Sequence, residues 1–157
     1  MIKAIVSDFS RVLLFPKDKN YKDSLNALHK EVSQKSNYNA FDYFELNTEL
    51  LNLYKSLKDK TPIYIFTSGA IQDSPEFQPH LQPVFTGVLS AAKMNIDKKN
   101  PQAYKMVATQ LNLPPDEILY IDDAPENITA AKIAGLSTFL YKNYEELLKQ
   151  VQETLNP

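Results

Sequence analysis

Residues 118–135 read Ile118-Leu119-Tyr120-Ile121-Asp122-Asp123-Ala124-Pro125-Glu126-Asn127-Ile128-Thr129-Ala130-Ala131-Lys132-Ile133-Ala134-Gly135. The first four are apolar or aromatic without polar alternation, the pattern of a strand buried on both faces of a parallel sheet. Two aspartates end the run. Pro125 then opens a helix that carries Ile128, Ala131 and Ala134 and stops at Gly135, a C′ residue. A buried strand passing through an acidic turn into a helix is half of a βαβ unit, so the first expectation is an α/β protein with a parallel sheet.

The same grammar recurs along the chain. Ile2, Ala4, Ile5 and Val6 form a short run ending in Asp8, and Ile63-Tyr64-Ile65-Phe66 forms another ending in Thr67-Ser68-Gly69. Residues 137–141 predict a fourth strand and 84–89 a weaker fifth. Leu46, Leu50, Leu53, Tyr54 and Leu57 predict a helix over 47–58. Ala103, Tyr104, Val107 and Leu111 predict another behind Pro101. Asn143 and Glu146 resemble a capping box for a last helix carrying Leu147, Leu148, Val151 and Leu155. Alternating strands and helices imply right-handed crossovers with helices on both faces of the sheet. Residues 16–46 fit least well. They read as a helix around 20–34, a turn at 36–39 and a further short element. One domain over 1–157, with 16–46 inserted after the first strand, is the expected organisation.

Composition removes several function classes. The chain has 157 residues, 43% hydrophobic and 23% charged, with net charge −2. The balanced charge argues against nucleic acid as a partner. No cysteine is present, which excludes disulfides, thiolate zinc sites, iron–sulfur clusters and a cysteine nucleophile. His29 and His80 are the only histidines, so a His-rich metal site is excluded as well. Gly69, Gly87 and Gly135 lack the spacing of a dinucleotide or P-loop fingerprint. The apolar stretch at the N-terminus is too short for a signal peptide, and no apolar run approaches the roughly 18 residues of a membrane span. A cytoplasmic protein without membrane contact is the expectation.

In an open α/β sheet, ligands sit at the carboxyl ends of the strands near the topological switch point. The residues ending the strands are Asp8, Thr67, Ser68, Asp122 and Asp123. Three converging carboxylates need a positive neighbour, and an all-oxygen donor set suits Mg²⁺. Lys98 or Lys99, just before the helix at Pro101, is the candidate cation.

This constellation resembles the haloacid dehalogenase (HAD) superfamily of hydrolases. The family's first motif, an apolar strand followed by DxDG, is matched by Val6-Ser7-Asp8-Phe9-Ser10-Arg11. The second, a strand ending in a hydroxyl residue, is matched by Ile65-Phe66-Thr67-Ser68. The third, a lysine before a helix, falls on Lys98-Lys99-Asn100-Pro101. The fourth, a strand ending in paired acids, falls on Tyr120-Ile121-Asp122-Asp123, with Asn127 four residues on. The resemblance spans nearly the whole chain outside 16–46. It implies a Rossmann-like three-layer sandwich and a Mg²⁺-dependent phosphohydrolase acting through an aspartyl-phosphate. Carried over residue by residue, Asp8 is the nucleophile and Lys98 the catalytic cation. Thr67 and Ser68 bind the phosphoryl group. The side chains of Asp8, Asp122 and Asp123 and the carbonyl of Ser10 are the metal ligands. Residues 16–46 occupy the position of the family's cap but are too few for a full one, which implies an open site for a bulky or macromolecular phosphate, or one covered by another subunit.

One departure is chemical. The family's second aspartate, its general acid/base, is Ser10 here, and the following glycine is Arg11. Positioned acid–base catalysis is worth about 10²–10⁴-fold, so hydrolysis should be slow, above all for poor leaving groups. A non-catalytic domain that binds a phosphorylated ligand or protein is the alternative. Dehalogenase or phosphonate chemistry, which some branches lacking this aspartate perform, is a third. Arg11 is a candidate contact for a substrate anion. Asn127 reads as a helix-surface residue, the two histidines as packing or surface groups, and Tyr38, Tyr43 and Phe44 as core residues near a possible substrate entrance.

Overall fold

The structure is a computed structural model describing residues 1–155. Five parallel strands make the central sheet: β1 (Ala4–Ser7), β4 (Ile63–Thr67), β5 (Gly87–Ser90), β6 (Ile118–Asp122) and β7 (Ser137–Leu140), in the order β5-β4-β1-β6-β7. Two further strands, β2 (Leu14–Pro16) and β3 (Phe44–Leu46), pair antiparallel away from it. The chain fills the β4 side of β1 first and then returns to the β6 side. The topological switch point therefore lies at the carboxyl end of β1.

Strand alternation sorts the core into two layers. Ile5, Ile63, Ile65, Leu119 and Ile121 face one way and pack on α1 (Leu25–Val32), α3 (Thr48–Leu57) and α7 (Tyr144–Leu155). Val6, Phe66, Ile118 and Tyr120 face the other way and pack on α5 (Pro101–Leu111) and α6 (Pro125–Ile133). This is the three-layer sandwich the sequence predicts. Helix boundaries follow local chemistry. Asn47 caps α3 by accepting from the Leu50 amide, Asn100 caps α5 ahead of Pro101, and Gly135 takes φ 95° past the end of α6. The fifth strand starts later than 84–89 suggests, because Val84 and Phe85 still close the turn after α4 (Gln78–Leu81) through amides donated to the Leu81 carbonyl.

The inserted segment is more broken than a helix over 20–34. Ser24 caps α1, so 20–24 stay outside it, and Asn20 donates its amide to the Asp18 carboxylate in a local turn. The expected short element is α2 (Ala40–Tyr43), and β3 follows it directly. The insertion docks on the segment after β4: the Ala40 amide donates to Glu76 Oε1, and Phe41 meets Phe77 and His80 edge-on. His29 lies against Tyr38 and Phe44, and Tyr38 stacks on Tyr43 at 6.0 Å. These aromatic residues serve packing.

Candidate active site

Asp8 follows β1 directly, and its amide donates to the Ile121 carbonyl at 2.8 Å, so the ladder to β6 carries the acid to the edge of the sheet. The chain then turns tightly. The amides of Leu13 and Leu14 donate to the Phe9 carbonyl, and Ser10 bridges to Leu14. Arg11 holds this turn at φ 61°, a left-handed conformation that costs a side-chain-bearing residue about 1–2 kcal/mol. The family's glycine at this position would adopt it freely.

Lys98 lies at the centre of the site. Its Nζ donates to Asp8 Oδ1 at 2.8 Å and to the Phe66 carbonyl at 3.1 Å, and pairs with Asp122 Oδ2 at 3.0 Å. Only 4% of the residue is exposed. Lys99 is exposed and donates its amide to the Asp97 carboxylate, so the geometry separates the two lysines. Tyr104 OH donates to the Lys98 carbonyl at 2.7 Å, anchoring the lysine's own backbone.

Asp122 is wholly buried and richly partnered. It accepts from Tyr120 OH, from the Ala124 amide at 2.8 Å and from Asn127 Nδ2 at 3.0 Å, besides Lys98. Asn127 is therefore part of the site network rather than a bare helix-surface residue. Its place four residues beyond Asp123 was the available signal. Tyr120 and Tyr104 carried no such signal, since their apolar spacing reads as core. A third buried phenol, Tyr54 OH, donates to Ser7 Oγ, which donates to the Asp8 carbonyl at 2.9 Å.

Carboxylate oxygens of Asp8, Asp122 and Asp123 all lie within 4.8 Å of one another. Burial pushes the Asp8 carboxyl up to about 7, opposed by Lys98 and reinforced by the charge of Asp122. Burial also raises Asp123, with Asp122 adding to it. Burial alone would lower Lys98, but the two facing carboxylates outweigh it and hold the ammonium above its usual range. One ammonium among three carboxylates leaves an excess of negative charge. A hard divalent cation with oxygen ligands, such as Mg²⁺, fits that donor set.

Thr67 is buried at the end of β4, with its Oγ1 accepting from the Gly69 amide, while Ser68 is exposed. An open depression of about 440 Å³ runs from Ser68 past Ala91 and Asn95 to Lys98. The Asp8 side chain keeps 13% of its surface exposed. Ser10 is half-buried in the turn. Arg11 goes elsewhere: its Nη2 donates to the carbonyls of Asp23 at 2.7 Å and Tyr21 at 3.3 Å, in the inserted segment.

A haloacid dehalogenase-like hydrolase family model matches residues 3–135. Enolase-phosphatase E1 of Methylococcus capsulatus is 36% identical over 83 residues, covering 50% of this chain and 36% of that protein. Enolase-phosphatase E1 of Aquifex aeolicus is 31% identical over 109 residues, covering 66% of this chain and 44% of that protein. The chain thus spans less than half the length of these relatives. Among solved structures, a HAD family enzyme of Bacteroides thetaiotaomicron, in complex with magnesium and inorganic phosphate, superposes with TM-score 0.67 at 17% identity, over 94% of this chain and 99% of that one. A predicted HAD-like family hydrolase of Porphyromonas gingivalis reaches TM-score 0.71 at 19% identity, over 100% and 99%. No helix among the described residues is long and apolar enough to cross a membrane. The family match runs from the first strand to the glycine that closes α6, and over that extent the chain belongs to the haloacid dehalogenase-like hydrolases.

Proposed function

We propose that this protein is a Mg²⁺-dependent phosphohydrolase that works through an aspartyl-phosphate on Asp8, with weakened acid–base catalysis. The observation that carries the reading is the buried Lys98 held between Asp8 and Asp122, with Asp123 beside them at the switch point of the sheet. The enolase-phosphatase relatives and the magnesium and phosphate of the Bacteroides thetaiotaomicron neighbour support it. Asp8, Asp122, Asp123 and the Ser10 carbonyl would hold Mg²⁺. When bound, it would offset negative charge on the carboxylates and the phosphoryl oxygens.

In the first half-reaction a carboxylate oxygen of Asp8 attacks phosphorus and the bond to the ester oxygen breaks. Lys98 offsets charge on the nucleophile and the phosphoryl group. Thr67 and Ser68 hold phosphoryl oxygens. The leaving oxygen departs without a proton from position 10, since a serine hydroxyl is a poor acid. In the second half-reaction water attacks phosphorus and the bond to Asp8 breaks, releasing phosphate. No carboxylate at position 10 takes up that water's proton, so the acyl phosphate persists longer than it would beside an aspartate. Residues 16–46 then act as a reduced cap on a single domain. The remaining exposure of Asp8 and Ser68 suits a phosphate carried on a bulky molecule. Hydrolysis of p-nitrophenyl phosphate with Mg²⁺, compared with an Asp8→Asn variant, tests the reading. A clear wild-type rate that the variant lacks is expected, and indistinguishable rates would overturn it.

Ser10 also favours a second reading, a domain that binds a phosphorylated ligand without turnover. Binding of inorganic phosphate with no hydrolysis by the wild type would select it. Phosphonate or haloacid turnover by a protein inert on phosphate esters would select the third chemistry.

A further inference from the structure

The donors around Asp122 are distributed unevenly over its two oxygens. Tyr120 OH, Asn127 Nδ2 at 3.0 Å and Lys98 Nζ at 3.0 Å all reach Oδ2. Oδ1 accepts only from the Ala124 amide, at 2.8 Å. An ionised carboxylate offers about four lone-pair positions, two on each oxygen. Oδ2 is therefore filled by the protein itself, and one position on Oδ1 remains. Tyr120 reaches Asp122 along its own strand, because residues two apart on β6 share a face. Its ring is fixed from behind by Tyr104 at 4.9 Å and Phe66 at 6.3 Å between centroids. Lys98 also serves Asp8 and the Phe66 carbonyl, whereas the Tyr120 hydroxyl donates to Asp122 alone.

We propose that Tyr120, together with Asn127, is a positioning residue that clamps Oδ2 of Asp122, leaves this acid a single oxygen for a cation, and so shifts the preference of the acidic cluster from Ca²⁺ toward Mg²⁺. The inference rests on the metal site of the phosphohydrolase reading and adds its selectivity. Ca²⁺ takes about six to eight oxygens and often uses both oxygens of a carboxylate, whereas Mg²⁺ is smaller and keeps several waters around one or two carboxylates. An acid with one free position satisfies Mg²⁺ and denies Ca²⁺ a ligand. The phenol acts on the cation through Asp122 and does not touch it. Phenylalanine at position 120 would keep the ring that lies 5.7 Å from Lys98 Nζ and remove only the donor.

Calorimetric titration of MgCl₂ and of CaCl₂ into the full chain, without substrate, gives the ratio of Mg²⁺ to Ca²⁺ affinity, a readout independent of turnover. Removing donors also makes Asp122 more negative, which tightens both ions alike, so the ratio isolates the second oxygen. In Tyr120→Phe/Asn127→Ala, Lys98 is left as the one donor on Oδ2. There the ratio should fall by about 10-fold, the low end for changes to partners of a metal-binding side chain. Each single change should lower it by less. Tyr104→Phe removes a neighbouring phenol that donates to the Lys98 carbonyl rather than to Asp122, and should leave the ratio unchanged. An unchanged ratio in the pair, or in both single variants should the pair fail to fold, overturns the clamp. So does an equal fall in Tyr104→Phe, since loosening of the aromatic cluster would then suffice. Absence of Mg²⁺ binding to the wild type at millimolar concentration overturns the clamp and the Mg²⁺-dependent reading together. An unchanged ratio in a protein that hydrolyses p-nitrophenyl phosphate with Mg²⁺ overturns the clamp alone, and the expected shifts in a protein without wild-type turnover overturn the phosphohydrolase reading alone.

Discussion

The two acids that flank Lys98 have opposite surroundings. Asp122, at the end of β6, is fully buried and accepts from a phenol, a backbone amide, a carboxamide and an ammonium. Asp8, at the end of β1, has Lys98 as its side-chain partner, keeps part of its surface exposed and leads into a turn with a strained Arg11. The β6 side is a finished polar network, in which each donor restrains the others and the carboxylate has one place to be. The β1 side leaves acceptor capacity of Asp8 open toward solvent. Rigidity on one side and unmet valence on the other is what the proposed role of Asp8, a nucleophile beside a fixed cation, requires.

Removing what the two sides share should have the largest effect. Lys98→Met would leave two buried carboxylates facing each other without a cation. Hydrolysis should disappear, and stability at pH 7 should fall by about 3–5 kcal/mol, the usual cost of breaking a buried pair. Urea unfolding reads it. A loss under about 1 kcal/mol would mean that the carboxylates relax into water instead.

Deleting one phenol on each side compares the networks directly. Tyr120→Phe removes a donor to the charged Asp122 and should cost about 1.5–3 kcal/mol, while Tyr54→Phe removes a neutral bond to Ser7 and should cost about 0.5–1.5 kcal/mol. Equal losses would erase the distinction between a saturated and an open side.

Ser10→Asp/Arg11→Gly should sharpen the β1 side in the opposite direction. It supplies the missing carboxylate and a residue at ease at φ 61°. Turnover should rise about 10-fold, at the low end of positioned acid–base catalysis, and more for alkyl than for p-nitrophenyl phosphate. The aspartyl-phosphate, loaded onto Asp8 from a reactive acyl phosphate, should be lost more slowly from the wild type than from this variant. No gain, with Mg²⁺ still bound, would place the defect outside position 10.

The smallest effect lies in the insertion. Burial lowers the pKa of His29, which packs against Tyr38 and Phe44. A histidine with a depressed folded-state pKa favours the neutral form. Its contribution is therefore present above the unfolded value of 6.5 and is lost as pH falls through 6.5 toward the lower folded value. His29→Phe should flatten the decline in denaturation midpoint between pH 7.5 and 5 by a small amount, because the imidazole is only partly buried. An unchanged slope would mean that the imidazole titrates as freely folded as unfolded.

Much of the site was legible because each acid or hydroxyl follows its own buried strand. An apolar run of four or five residues is a local signal, and the polar residue that ends it must emerge at the sheet edge. The small pair β2 and β3 was not legible. Three residues are too few to show alternation, and their pairing joins positions some thirty residues apart. The contacts of Arg11 and Gly69 with the insertion were hidden for the same reason: only a closed chain brings Arg11 to Asp23, or Asn26 to Gly69.

By itself the amino-acid sequence determined the α/β class, the main helices, the absence of thiols and of a His-rich cluster, and the candidate set Asp8, Thr67, Asp122 and Asp123. These follow from hydrophobic periodicity, residue counts and strand-end position, all local properties of the chain. Tertiary structure decided that Lys98 rather than Lys99 reaches the acids, that Tyr120 and Asn127 complete Asp122, and that Arg11 turns toward the insertion. Neighbouring residues compete for a partner across space. The winner depends on which side chain the helix start at Asn100 and the end of β1 direct inward, a matter of orientation that composition and spacing do not encode.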